Sequence, residues 1–179
     1  MKFLHIADVH LGLAPDAGKP WSSRRQQDIW DSFREVLAVA EREKVDLVLI
    51  AGDLFHRQPL MRELKQVNEL FSGLTRTKVA LIAGNHDYMH PRSNYRGFSF
   101  AENVIFFDRE QIKGVELPEY QACIYGLSYW HKEITDGLYD ALRPKDPAKI
   151  NILLAHGGDA KHIPMSEAAL RQNGFDYVA

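Results

Sequence analysis

The chain has 179 residues, with 22 Lys plus Arg against 24 Asp plus Glu, giving a formal charge of −2. Hydrophobic residues at 45% and charged residues at 26% fit one globular domain and exclude a disordered, collagen-like or membrane-spanning chain. The near-neutral charge excludes a histone-like polybasic binder, and a single cysteine, Cys123, excludes an internal disulfide.

Phe3 to Ala7 is an apolar run of strand length, too short for a signal-peptide core, and the chain reads as cytoplasmic. Ile29, Phe33, Val36, Leu37 and Ala40 recur at three and four residues, which predicts an amphipathic helix from Arg25 to Lys44. Leu47 to Ala51 is a second strand. Leu60, Leu64, Val67, Phe71 and Leu74 mark a second helix ending near Gly73, and Val79 to Ala83 a third strand. Val104 to Phe107 and Gln121 to Tyr125 read as short strands separated by Lys113-Gly114 and Pro118, with Cys123 reduced and buried in the second. A helix is expected from Lys132 to Leu142, ending before Arg143-Pro144, then a strand at Ile150 to Ala155. A last helix begins at the N-cap Ser166 and stops at Asn173-Gly174, and Phe175 to Ala179 begins a strand. Strands alternating with helices, none with clean in-out alternation, predict an α/β fold of central mixed sheets flanked by helices.

Four of the strands end in polar residues able to bind metal: Asp8-Val9-His10, Gly52-Asp53, Gly84-Asn85-His86-Asp87 and His156-Gly157-Gly158. Taken singly, the first three also fit ordinary turns, because Gly, Asn and Asp tolerate the required backbone, and His156 fits an isolated surface histidine. Together they converge on the carboxyl edge of a parallel sheet, where α/β proteins place ligands. Carboxylate, imidazole and amide donors without thiolate favour Mn, Fe, Zn or Mg. Asp53 has two oxygens and could bridge two ions, a geometry suited to clamping a phosphate for in-line displacement. Phosphoester hydrolysis follows as the expected reaction.

The motif set resembles the calcineurin-like metallophosphoesterases from Asp8 to His156. Ala51-Gly52-Asp53-Leu54-Phe55-His56 with Gly84-Asn85-His86-Asp87 is similar, within them, to the break-repair nuclease subunits of the SbcCD type. Phosphoprotein phosphatases carry Asp in place of His56 and usually Glu in place of Asp87. The resemblance implies that Asp8 and His10 hold one ion, Asn85 and His156 a second, and Asp53 both. It implies His86 as general acid and His56 as a positioner of the scissile phosphate. Two divalent ions, Mn foremost, would supply a metal-activated water for cleaving DNA. The family closes its site with a Gly-His-any-His turn after a strand like Phe175 to Ala179. Residues 1–179 are therefore expected to be a nuclease core truncated before its last strands, without a capping domain. His5, His90, His131 and His162 lack the spacing to replace that turn.

Arg57, Arg62 and Lys65 after the second motif and Arg92 and Arg96 after the third are candidates for sequence-neutral contact with DNA phosphates or form an ordinary solvated face, and Tyr88, Tyr95 and Phe98 are candidates for base stacking or for packing. The resemblance further implies an SMC-like ATPase partner and dimerisation through Leu60 to Leu74 and Tyr95 to Phe100. Two other readings stand beside the nuclease: a phosphatase or phosphodiesterase acting on a small phosphoester, and a non-catalytic scaffold with an incomplete metal site.

Overall fold

The structure, a computed structural model, describes all residues 1–179. The chain runs β1 (Phe3–Ile6), α1 (Ser22–Arg42), β2 (Leu47–Ala51), α2 (Met61–Ser72), β3 (Lys78–Ile82), β4 (Val104–Phe106), β5 (Lys113–Leu117), β6 (Ala122–Gly126), β7 (Ile150–Leu154), α3 (Glu167–Leu170) and β8 (Tyr177–Val178). One sheet has the order β1-β2-β3-β4, all parallel; the second has the order β5-β6-β7-β8, with β5 antiparallel to β6 and the rest parallel.

Residue parity in the strands sorts the side chains into layers. Leu47, Leu49 and Ala51 of β2 face Ile124, Ile152 and Leu154 of the second sheet, while Val48 and Ile50 face the other way into a cluster with Phe33, Leu37, Leu64, Val67 and Phe71 of the two long helices. A third cluster, with Cys123, Tyr125 and Leu153, lies on the far face of the second sheet. Each central strand is covered on both sides, which is why none alternates between apolar and polar residues. Cys123 is buried and free. No helix is long and apolar enough to cross a membrane.

Four differences from the sequence reading have physical causes. The helix expected over Lys132 to Leu142 is absent: the Ile134 N–H donates to Lys161 O (2.8 Å) and Ile134 O accepts from Ile163 N (2.7 Å), so tertiary pairing takes the backbone a helix would need. Gly137 weakens the competing helix further. Lys113-Gly114 is not a break but the start of β5, an edge strand whose polar residues face solvent. The last helix spans only Glu167–Leu170 and continues as turns to Gly174, although the Ser166 hydroxyl caps it as expected, accepting from Ala169 N (3.3 Å). Finally, β7 belongs to the second sheet, so the four motifs meet across a sandwich rather than along one sheet edge.

Candidate metal centre

The segments after β1 and β2 leave the sheet side by side. Asp8 N donates to Gly52 O (3.2 Å), His10 N to Asp53 O (3.0 Å) and Leu11 N to Leu54 O (2.9 Å). Holding two loops in this register puts Asp8 (φ 51°), His10 (φ 53°) and Asp53 (φ 50°) in the left-handed region. Non-glycine residues there cost on the order of 1 kcal/mol or more each and cluster at functional sites.

The site is tightly moulded around Asp53. A Cβ on Gly84 would lie 2.2 Å from Asp53 Oδ1, and one on Gly52 would lie 2.5 Å from His156 Nδ1. Both glycines are there because a neighbouring donor occupies the space of a side chain. Asp53 Oδ1 accepts from His86 N (2.9 Å) and lies 3.7 Å from His156 Nε2; Oδ2 lies 3.9 Å from His10 Nε2 and 3.9 Å from His86 Nε2. Asp8 Oδ1 is 3.7 Å from His10 Nε2.

Ring tautomers follow from the hydrogen bonds. His156 Nδ1 donates to Ala51 O (2.9 Å), which leaves a lone pair on Nε2 facing Asn85 Oδ1 at 2.9 Å. Two electron pairs opposed at that distance suit a cation between them. His86 Nδ1 donates to His56 O (3.0 Å), aiming Nε2 at Asp53. Burial lowers the pKa of His10, opposed by the Asp53 charge, and so favours the neutral ring that binds metals. Two groups have donor atoms clustered closely enough to hold an ion, Asp8-His10-Asp53 and His10-His56-His86. The donors fit divalent metal ions; nothing in their geometry distinguishes Mn from Fe, Zn or Mg.

The arginines fare differently from one another. Arg57 is engaged by both Glu63 oxygens (2.8 and 3.0 Å), Arg96 lies over the Trp130 ring at 4.4 Å, and Arg92 is exposed. Tyr95 is buried and packs on Phe106, so it is not available to stack on a base.

One residue of the site went unassigned in the sequence. Asp87 is fully buried, and its carboxylate accepts from Gly84 N (2.8 Å), Phe55 N (3.1 Å) and Tyr95 Oη (2.9 Å). Burial, with the Asp53 charge, raises its pKa to about 6. It ties the β2 and β3 loops together beneath the donors. Asp87→Ala leaves three buried donors unpaired and is expected to destabilise the fold by about 3 kcal/mol, measured by urea unfolding.

The family model for calcineurin-like phosphoesterases matches residues 1–179. The DNA double-strand break repair protein Mre11 of Aeropyrum pernix is 43% identical over 124 residues, 68% of this chain and 27% of that protein. The uncharacterized metallophosphoesterase YhaO of Bacillus subtilis is 29% identical over the whole chain and 47% of its own length, and Mre11 of Saccharolobus solfataricus 27% identical over the whole chain and 48% of its own. The chain spans less than half the length of each of these relatives.

Proposed function

This chain belongs to the calcineurin-like phosphoesterase family, and on that premise we propose that it is the core of a two-metal phosphodiesterase that cleaves DNA. The observation that carries the reading is Asp53: a carboxylate buried to 3% exposure, one oxygen toward His156 and the other toward His10 and His86. Asp8, His10 and Asp53 would hold one ion, and Asp53, Asn85 and His156 the second. When bound, such ions polarise the phosphate and lower the pKa of a water for in-line attack.

The chain's own groups do the rest. His86, whose Nδ1 already donates to His56 O, would act as the imidazolium, giving its Nε2 proton to the leaving alkoxide, which departs poorly as an anion, and returning to the neutral ring with Nε2 bare. His56, whose ring stacks on His86 with centroids 5.0 Å apart, helps seat the scissile phosphate. Arg92 and Arg96 offer exposed cations to the flanking backbone, whereas the charge of Arg57 is already met by Glu63. Two relatives whose names state DNA double-strand break repair favour DNA over a small ester. A cytoplasmic setting and an SMC-like ATPase partner belong to the same reading. So does a homodimer, for which Leu60 and Met61 stand exposed at the head of α2.

The test is hydrolysis of a labelled DNA duplex beside bis(p-nitrophenyl) phosphate, with Mn and with excess chelator. The expected result is Mn-dependent cleavage of DNA, abolished by chelation. Turnover of the small ester alone would replace the nuclease by a small-substrate phosphodiesterase. A protein that binds no divalent ion at millimolar Mn would be a scaffold.

A further inference from the structure

The segment from His156 to Ile163 folds back on itself directly beside the metal centre. Gly157 (φ 140°) and Gly158 (φ 121°) make the reversal, and a Cβ on Gly157 would lie 2.2 Å from His162 O. Gly158 N donates to His162 O (2.8 Å) and to Ile163 O (3.2 Å), while Ile163 is locked to Ile134 as described above. Ile163 is fully buried at φ 39°, a conformation that a β-branched residue holds only when its surroundings impose it.

The product of this folding is a fixed pair of side chains. Asp159 Oδ1 accepts from Lys161 N (2.7 Å) and His162 N (3.1 Å), and Oδ2 accepts from His162 Nδ1 (2.7 Å). The bond from His162 is the main reason the Asp159 carboxyl lies below its usual pKa. The His162 ring is 24% exposed and lines the same cavity as Asp8, Asn85 and His156, whose far wall is made by Val178 and Ala179. Of its two ring nitrogens, Nδ1 is committed to Asp159 and Nε2 is the one left for a ligand.

We propose that His162, oriented by Asp159, is a phosphate-binding subsite beside the metal centre, taking an oxygen of the phosphate next to the scissile one. The proposal rests on the phosphodiesterase reading and narrows it: the substrate carries at least two phosphates in series. In the bound state both ring nitrogens donate, one to Asp159 and one to the phosphate, so the ring enters that state as a cation with its counter-charge built in. The other carboxylates lining the cavity are already engaged. Asp8 belongs to the metal centre, and Glu167 Oε1 receives Arg171 Nε at 3.2 Å. His5 also lines this cavity, but its Nδ1 is paired with Tyr177 Oη (3.1 Å) and burial lowers its pKa, so the imidazole held by a carboxylate there, and placed to carry charge to a phosphate on the His156 side, is His162. His86 Nε2 faces Asp53 Oδ2, with His56 stacked on its ring, whereas His156 Nε2 faces Oδ1.

The test is fluorescence anisotropy of a labelled oligothymidylate on the full-length protein, with calcium replacing manganese to suppress turnover. H162A is expected to raise the Kd about tenfold and to reduce the salt slope by about 0.7, the loss of one single-strand phosphate contact. D159N should show a smaller loss in the same direction. H162K should restore both affinity and slope, which no purely structural role predicts, and it keeps the test decisive if truncation loosens the loop. Hydrolysis of bis(p-nitrophenyl) phosphate by H162A should fall far less than oligonucleotide binding does, since that ester has no second phosphate. Unchanged oligonucleotide affinity and slope in H162A, or an equal loss on the small ester, overturns the proposal. A parent protein that binds the oligonucleotide through His162 but never cleaves it would defeat the nuclease reading and leave the subsite standing; cleavage indifferent to H162A would do the reverse.

Discussion

Replacing Asp53 by Asn is expected to lower Mn-dependent phosphodiester hydrolysis on the order of a thousandfold while leaving the fold intact. Asn has the same shape and accepts the left-handed backbone that Asp53 adopts at φ 50°. Its amide oxygen keeps the bond from His86 N, now 2.9 Å, so the β3 loop stays in place. What disappears is the negative charge and the second oxygen that faces His10 and His86, and an amide cannot serve two cations at once. Calorimetric titration with Mn should show at least one tight site lost, and a urea melt should shift by no more than about 1 kcal/mol. Parent-like hydrolysis by this variant would remove Asp53 from the centre of the mechanism.

His86→Ala should separate two classes of substrate. On DNA the leaving group is an alkoxide, and loss of a positioned proton donor is expected to cost about a hundredfold to ten-thousandfold in kcat. On bis(p-nitrophenyl) phosphate the leaving phenolate needs no proton, and the same variant should lose less than about tenfold. The structural basis is the Nδ1 bond to His56 O, which fixes the ring and leaves Nε2 3.9 Å from Asp53. The measurement is kcat on both substrates at saturating Mn. Equal losses on the two would assign His86 to holding the phosphate rather than to protonating the leaving oxygen.

The layers of the fold were legible because of β2. Leu47 to Ala51 is uniformly apolar, and a strand covered on both faces has no other way to look. The donor motifs stood out for a related reason: each breaks off an apolar run at the end of such a strand, although Asp53 and Asp87 prove to be buried there. The sequence did not reveal that β7 lies in a different sheet from β1 to β3, since an apolar run says that it is buried and not by which neighbours. Nor did it reveal the Asp87 network, whose partner Tyr95 sits in a 3₁₀ turn with no periodic signal. The helix expected at Lys132 to Leu142 failed where local preference meets long-range pairing, at Ile134. His162 was set aside because it lacks ligand spacing, and its relation to Asp159 emerges only from the two glycines that fold the loop back.

Asp8, His10 and Asp53 all occupy backbone that glycine would hold without strain. A lineage released from selection for hydrolysis could therefore exchange Asp8 or His10 for Gly and shed backbone strain at the moment it surrendered its ions, whereas Asp53 would still be needed to hold His86 N. Among descendants of such a chain, glycine at positions 8 and 10 would mark retirement rather than improvement.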